Sequence, residues 1–216
     1  MTLTKEVAAA NYRLLLAKAN KEENKAVLSE GLSWYDDAQA EAVSIAQAQI
    51  QPVIGGDLTR SVRLAAALLA CASPAKSWEQ GVNQLVAKQW AAQLSAGLPA
   101  KGHMAAFNAK AEMLWAAFED GRDPSVDELS RILTKKESKV SRFFRNILGD
   151  MEPATIDGHM INAAKHGSEF VAITKTTQSA KEVAICEAAL IEAATDYGYA
   201  PAIAQAIIWV MYKAQK

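Results

Sequence analysis

The chain has 216 residues, half of them hydrophobic, with alanine abundant, only six prolines and a formal net charge of −1. This is the composition of helices packed into one good-sized core or two small lobes, and it excludes a disordered chain and a β-sandwich. The near-zero total excludes a chain that coats nucleic acid over its whole surface. Within it, however, 131–145 carries six basic residues against Glu137, a local +5 that leaves −6 for the remainder.

Cys71 and Cys186 are the only cysteines and both sit in apolar helical patterns. A disulfide framework and a four-cysteine zinc or iron–sulfur site are thereby excluded, and both thiols are expected in the core. His103, His159 and His166 lack metal-ligand spacing, so no metal and no other cofactor is expected. The longest apolar run, 201–211, is too short to span a bilayer, and the charged start of the chain does not read as a signal peptide. A cytoplasmic protein with no membrane partner is expected.

Apolar residues recur at helical spacing almost throughout. The pattern predicts helices over 3–19, 22–29, 33–49, 57–72, 77–95, 102–118, 124–134, 137–148, 156–166 and 179–215, the last broken near Gly198 to Pro201. Ser77 with Gln80 and Ser179 with Glu182 read as capping boxes, and Asp123-Pro124 as a cap followed by a first-turn proline. Gly55-Gly56 before Asp57 reads as a turn, with anion binding at the following helix start as the less common alternative. The five tryptophans fall in helical patterns and are expected mostly in the core, although Trp78 at a helix start could face a base. Segment 168–178 is the one stretch of β-branched character and is expected to be a loop.

The chemistry is concentrated between Lys135 and His159. In 138–148, Val140, Phe143, Phe144, Ile147 and Leu148 form one stripe while Lys139, Arg142 and Arg145 lie off it, so one face packs and the other is basic. The turn 149–153 then leads to Thr155-Ile-Asp-Gly-His159, which would return Asp157 towards Lys139. A lysine beside a carboxylate supplies the amine and the proton acceptor that imine chemistry needs. The structural alternative is a solvated Lys139 and an Asp157 that caps the next helix.

These residues resemble the core of the helix-hairpin-helix DNA glycosylase superfamily. In its endonuclease III branch a lysine opens the second hairpin helix and a Val-Asp-Thr-His segment follows eighteen positions on; Lys139 and Ile156-Asp157-Gly158-His159 match that arrangement without a gap. The run from Ala66 to Trp78 resembles the family's helix that ends in a Ser-rich turn facing the lesion. Over 34–212 the chain is also similar to a group of small phage-encoded proteins, through Trp34-Tyr35, Ser73-Pro74, Ser77-Trp78 and the C-terminal Gln205-Ala206 and Trp209-Val210. Where the relatives' hairpin has glycines, this chain has Ile132 to Ser138 with none, so phosphate contact would fall to side chains.

The resemblance implies an all-α fold of two helical lobes with a cleft between them, one lobe being about 57–150 and the other 1–56 with 155–216. It implies double-stranded DNA as partner, with a modified or damaged base as target. Lys139 would be the amine and Asp157 the base or charge stabiliser. Lys76, Trp78, Lys135, Lys136, Ser138, Arg142, Arg145 and His159 would contact DNA. Two other outcomes fit the same residues: a transferase that hypermodifies a DNA base, and a catalytically silent module that binds DNA or a host protein.

Overall fold

A computed structural model describes residues 3–74, 81–134, 138–173 and 179–216. Among them every regular element is helical: α1 (Lys5–Ala19), α2 (Lys25–Ile45), α3 (Gln51–Ile54), α4 (Leu58–Ala72), α5 (Val82–Ser95), α6 (Ala105–Ala116), α7 (Val126–Leu133), α8 (Lys139–Ile147), α9 (Gly158–His166), α10 (Ala180–Tyr197) and α11 (Pro201–Lys213). The all-α expectation therefore holds. No described helix is long and apolar enough to cross a membrane. The chain forms two compact units, the first Met1–Tyr35 with Asp150–Lys216 and the second Asp36–Gly149. Residues 36–56, expected with the N-terminal helices, belong to the second unit. The chain passes from one unit to the other inside α2, and the π-helical turn Ala46–Ile50 that follows packs on α4 and α5.

That π turn has a local cause. Pro52 lacks an amide hydrogen, and its ring would crowd the carbonyl four residues back, so the backbone widens just before it and resumes as α3. The sequence also predicts a break between residues 29 and 33, whereas α2 runs through Gly31 without one. A Cβ on Gly31 would lie 2.6 Å from Ile207 Cα. The glycine is there because α2 and α11 approach backbone to backbone, not because the helix stops.

In the first unit, α1, α9, α10 and α11 share a core that includes Tyr12, Leu15, Leu16, Met160, Leu190, Ile207, Ile208 and Met211, and Cys186 is buried in it. The buried Tyr12 hydroxyl donates to Met160 O at 3.0 Å, pinning the first turn of α9 to α1. In the second unit α4 is central. From Leu64 to Ala72, Cys71 included, no side chain is exposed at all. A helix apolar all round is a helix packed all round, and the run of alanines lets its neighbours come close.

Helix starts follow the chemistry of caps. Asp57 Oδ1 accepts from Arg60 N at 2.8 Å and Ser179 Oγ from Glu182 N at 3.1 Å. The start of α7 differs from expectation: its capping box is Ser125 with Glu128, and Asp123 instead pairs with Arg63 at 2.6 Å. Ser77 and Gln80 lie outside the described residues, as do 174–178. From 168 to 173 the chain is non-helical loop, as expected.

Gly55-Gly56 is a turn, with φ of 64° and 80°, and what it seats is a cation of the chain itself. The Arg60 guanidinium, 8% exposed, donates to the carbonyls of Ile54 (2.6 Å), Gly55 (3.1 Å), Phe118 (2.6 Å) and Arg122 (2.7 and 2.9 Å). It also lies over the Phe118 ring, 5.6 Å from the centroid. Five charge-assisted bonds to carbonyls satisfy the donor directions of a planar fork, which is how a charge can be buried without a carboxylate.

Candidate functional site

The sequence-predicted site residues fall in two places. Ser138, Lys139, Arg142 and Arg145 lie in the second unit, at the start of α8 and along it. Ser138 is the N-cap of α8 in extended conformation, but its hydroxyl donates to Thr134 Oγ1 at 2.5 Å instead of capping its own helix. Lys139 is the first residue of α8 and is half-buried. Phe143, Phe144 and Ile147 are buried, while Arg142 is half-buried and Arg145 exposed. The expected split into a packed face and a basic face is thus present, with the packed face on α4 and α7. Lys110 Nζ donates to Leu133 O at 2.6 Å, placing a cation at the C-terminal end of α7, where the helix dipole favours one. Lys76, Trp78, Lys135 and Lys136 lie outside the described residues.

Asp157 and His159 lie in the first unit, at the start of α9. Asp157 is the N-cap: Oδ1 accepts from Met160 N at 2.9 Å, which answers one of the unpaired amides of the first turn. Its second oxygen is used as well, accepting from the indole N–H of Trp209 at 3.2 Å. Both carboxylate oxygens are therefore oriented by donors, and the residue stays half-exposed. His159 meets Trp209 edge-on at 5.8 Å between centroids, with Phe170 and Tyr212 each at 6.5 Å.

Trp209 is the hub of this cluster, and it was expected in the core. It is instead half-buried, as is Trp34, whose ring lies 4.9 Å away at 52°. The pairing follows from the close approach of α2 to α11. Gly31 rests on Ile207, Tyr35 OH donates to Gln205 Oε1 at 2.6 Å, and Trp34, one turn beyond Gly31, lands on Trp209. Burial pushes the Tyr35 hydroxyl well above its ordinary range, so it stays a donor at any working pH.

Lys213 completes the cluster and is the residue that sequence reasoning missed. It lies one helical turn after Trp209, and its Nζ stands 4.1 Å from the Trp209 ring centroid. Burial pushes its ammonium down to about 8, with Lys216 acting in the same sense and Glu30 opposing. The i, i+4 spacing of a tryptophan and a lysine was the available signal. Such pairs are common enough that spacing alone does not single one out.

Among the described residues no group of three or more histidine, cysteine or acidic side chains could hold a metal ion. The arrangement combines an oriented carboxylate, a lysine of lowered basicity and partly exposed aromatic faces. Those are the elements of proton transfer, of stabilising a developing positive charge, and of stacking against a flat ring.

The chain belongs to a family of unknown function, DUF7178, whose profile matches residues 4–216. Comparison with curated proteins and with solved structures gives no match.

Proposed function

We propose that this protein binds duplex DNA and acts on a base, breaking its N-glycosidic bond, on a two-lobed fold of the helix-hairpin-helix glycosylase kind. The observation that carries the reading is Asp157. A carboxylate with one oxygen held by a helix amide and the other by an indole, half-exposed among aromatic rings, is suited to face the positive charge that develops on a sugar as its base departs. In that step the C1′–N bond breaks and its electron pair leaves with the base, which takes up a proton. Water adds to C1′ and yields its proton, so the net consumption is one water. The base must leave the stack first, and aromatic rings offset part of that cost.

The basic face of α8 supports the DNA-binding half of the reading. Arg142, Arg145 and Ser138 on α8, together with Lys135 and Lys136 before it and Lys76, Trp78 and His159, are assigned to DNA contact, and Lys139 is assigned as the amine for an accompanying lyase step. Without glycines in the hairpin, phosphate contact rests on side chains and is strongly salt-dependent.

The test is incubation of the protein with duplexes that carry a range of modified and damaged bases, scored for abasic sites with an aldehyde-reactive probe. Abasic product from at least one substrate, with turnover cut about a hundredfold or more in Asp157→Asn, is the expected result. A mass increase on a nucleoside with no abasic product would replace the glycosylase with a transferase. Retention of duplex without any product would make the protein a silent binder, and no retention at low salt would overturn the reading altogether.

A further inference from the structure

In the first unit a stretch without helical structure, residues 168–173, lies against the first turn of α9, next to Asp157. Its start is fixed by Gly167, which ends α9 with φ of 60°. A Cβ on Gly167 would lie 2.9 Å from Asn11 Oδ1, so only a residue without a side chain fits that turn. Phe170 then packs back on the helices, 5.4 Å from the Tyr212 ring and 6.5 Å from that of His159, and Lys216 Nζ lies 5.5 Å from its own ring centroid. Ile173 rests on Gly158, where an added Cβ would come within 3.0–3.4 Å of three of its side-chain atoms.

Between those two side chains the strap is held at one residue. Val171 N–H donates to the Tyr212 hydroxyl at 2.8 Å, that hydroxyl donates to Val171 O at 3.3 Å, and Asn162 Nδ2 donates to the same carbonyl at 2.9 Å. The Tyr212 ring is part of the core, and only its hydroxyl reaches the strap. Burial holds that hydroxyl above its ordinary range, so it keeps the proton that it donates. Ser168, Glu169, Ala172 and Ile173 are exposed. Among the described residues the other backbone bond of the stretch runs from Glu169 N to His166 O at 3.2 Å and belongs to the end of α9. A segment with so few attachments opens locally at a small fraction of the cost of unfolding the helices beneath it.

We infer that residues 168–173 are a gate over the first turn of α9, latched by the Val171–Tyr212 pair, which opens to admit a flat ring to His159 and closes behind it. The identity of that ring rests on the proposed function: a base that has left its stack would meet the His159 and Tyr212 rings in the place that Phe170 holds. Closed, Phe170 and Ile173 cover His159 and Gly158, and His159 Nδ1 is buried. Opened, the strap uncovers both. Asp157 stays in place throughout, because its bonds go to Met160 N–H and the Trp209 indole and not to the strap. Gly158 is what lets the gate shut, since a side chain at that position would hold Ile173 off the helix. Closure of this kind excludes water from a reacting centre once its ligand is inside.

Two variants of the full chain test the latch. Tyr212→Phe removes the hydroxyl and keeps the buried ring, and Asn162→Ala removes the second donor from a half-buried position on α9. Amide exchange followed by mass spectrometry should be roughly tenfold faster over 168–173 in Tyr212→Phe and about threefold faster in Asn162→Ala, with α1 and α10 unchanged. Diethyl pyrocarbonate should modify His159 of the parent at least about tenfold more slowly than the exposed His166, and both variants should narrow that gap to about threefold or less. Unchanged strap exchange, or unchanged His159 modification, in both variants would overturn the inference. Exchange that rises equally through α1 and α10 would also overturn it, by making the strap part of the core. The last reading is abasic-site formation, which should change at least about threefold in Tyr212→Phe. Product at the parent's rate in spite of a faster-exchanging strap rejects the gate and leaves the proposed function intact. A loosened strap and an uncovered His159, with no abasic product from any duplex, do the reverse, sparing the gate and removing a DNA base as what it admits.

Discussion

Two cations placed against aromatic rings, Arg60 in the second unit and Lys213 in the first, are held in opposite ways. Arg60 directs five hydrogen bonds to backbone carbonyls around it and leaves nothing for a ligand. Lys213 sits on a half-exposed indole whose N–H already serves a carboxylate, and its basicity is lowered by the same partial burial. A charge whose every donor is answered by the fold is part of the scaffold. A charge whose basicity the fold lowers by partial burial against an indole is where chemistry is to be sought.

The contrast is broken most directly at Arg60. Removing it leaves the carbonyls of Ile54, Phe118 and Arg122 without their donor in a buried place, so Arg60→Ala should destabilise the second unit by on the order of 3–5 kcal/mol. Arg60→Lys should recover only part of this, because an ammonium cannot reproduce the planar fork. Urea unfolding followed by Trp90 and Trp115 fluorescence measures the loss. An effect within about 0.5 kcal/mol, the range of ordinary surface substitutions, would show that the clamp is dispensable.

The frame of the Lys213 cluster is tested next, at Gly31. Alanine is the better helix former by about 1 kcal/mol, but here its Cβ would meet the Ile207 backbone, which cannot move aside as a side chain tip could. Gly31→Ala is therefore expected to be net destabilising by about 1–2 kcal/mol and to separate Trp34 from Trp209, which near-ultraviolet circular dichroism reports. A stabilised variant would mean that α2 and α11 do not approach so closely.

At Asp157 the expected change in stability is similar or smaller. Asparagine caps a helix as well as aspartate, yet it cannot accept from both Met160 N–H and the Trp209 indole with the same pair of atoms, because one of its two positions is now a donor. A loss of about 1–2 kcal/mol follows from one donor left unanswered. Asp157→Asn thus perturbs cap and indole together, and a Trp209→Phe variant, which removes only the indole donor, separates the two in a double-mutant cycle. If the two losses add with no coupling, the carboxylate is a cap and the indole contact contributes nothing.

The smallest effect is expected on α8. Arg142→Ala and Arg145→Ala should leave folding nearly unchanged and each reduce the log–log salt slope of duplex binding by about one unit. An unchanged slope would make this face a solvated helix surface and nothing more.

Much of the fold is legible in the order of the residues. The cap at Asp157, the cap at Ser179, the packed stripe of Phe143, Phe144 and Ile147, the two buried cysteines and the break between α10 and α11 all depend on residues within a few positions of one another. The misreadings share a different character. The stretch 30–32 reads as a break between two helices, and Asp123 as a cap. Each is decided by a partner far along the chain: Ile207 against Gly31, and Arg63 for Asp123.

The candidate site shows the same division. Helix periodicity and capping, which are short-range, determined that Asp157 begins a helix with one oxygen committed to it. Only the packing of α2, α9 and α11 decided that the other oxygen meets Trp209, that Trp34 closes on the same ring and that Lys213 lies over it. The physical reason is that dihedral preferences and 3.6-residue spacing act within a turn or two of the chain. The partners of a half-buried charge are set by which helix faces meet, and that depends on the volume and shape of side chains more than a hundred positions apart.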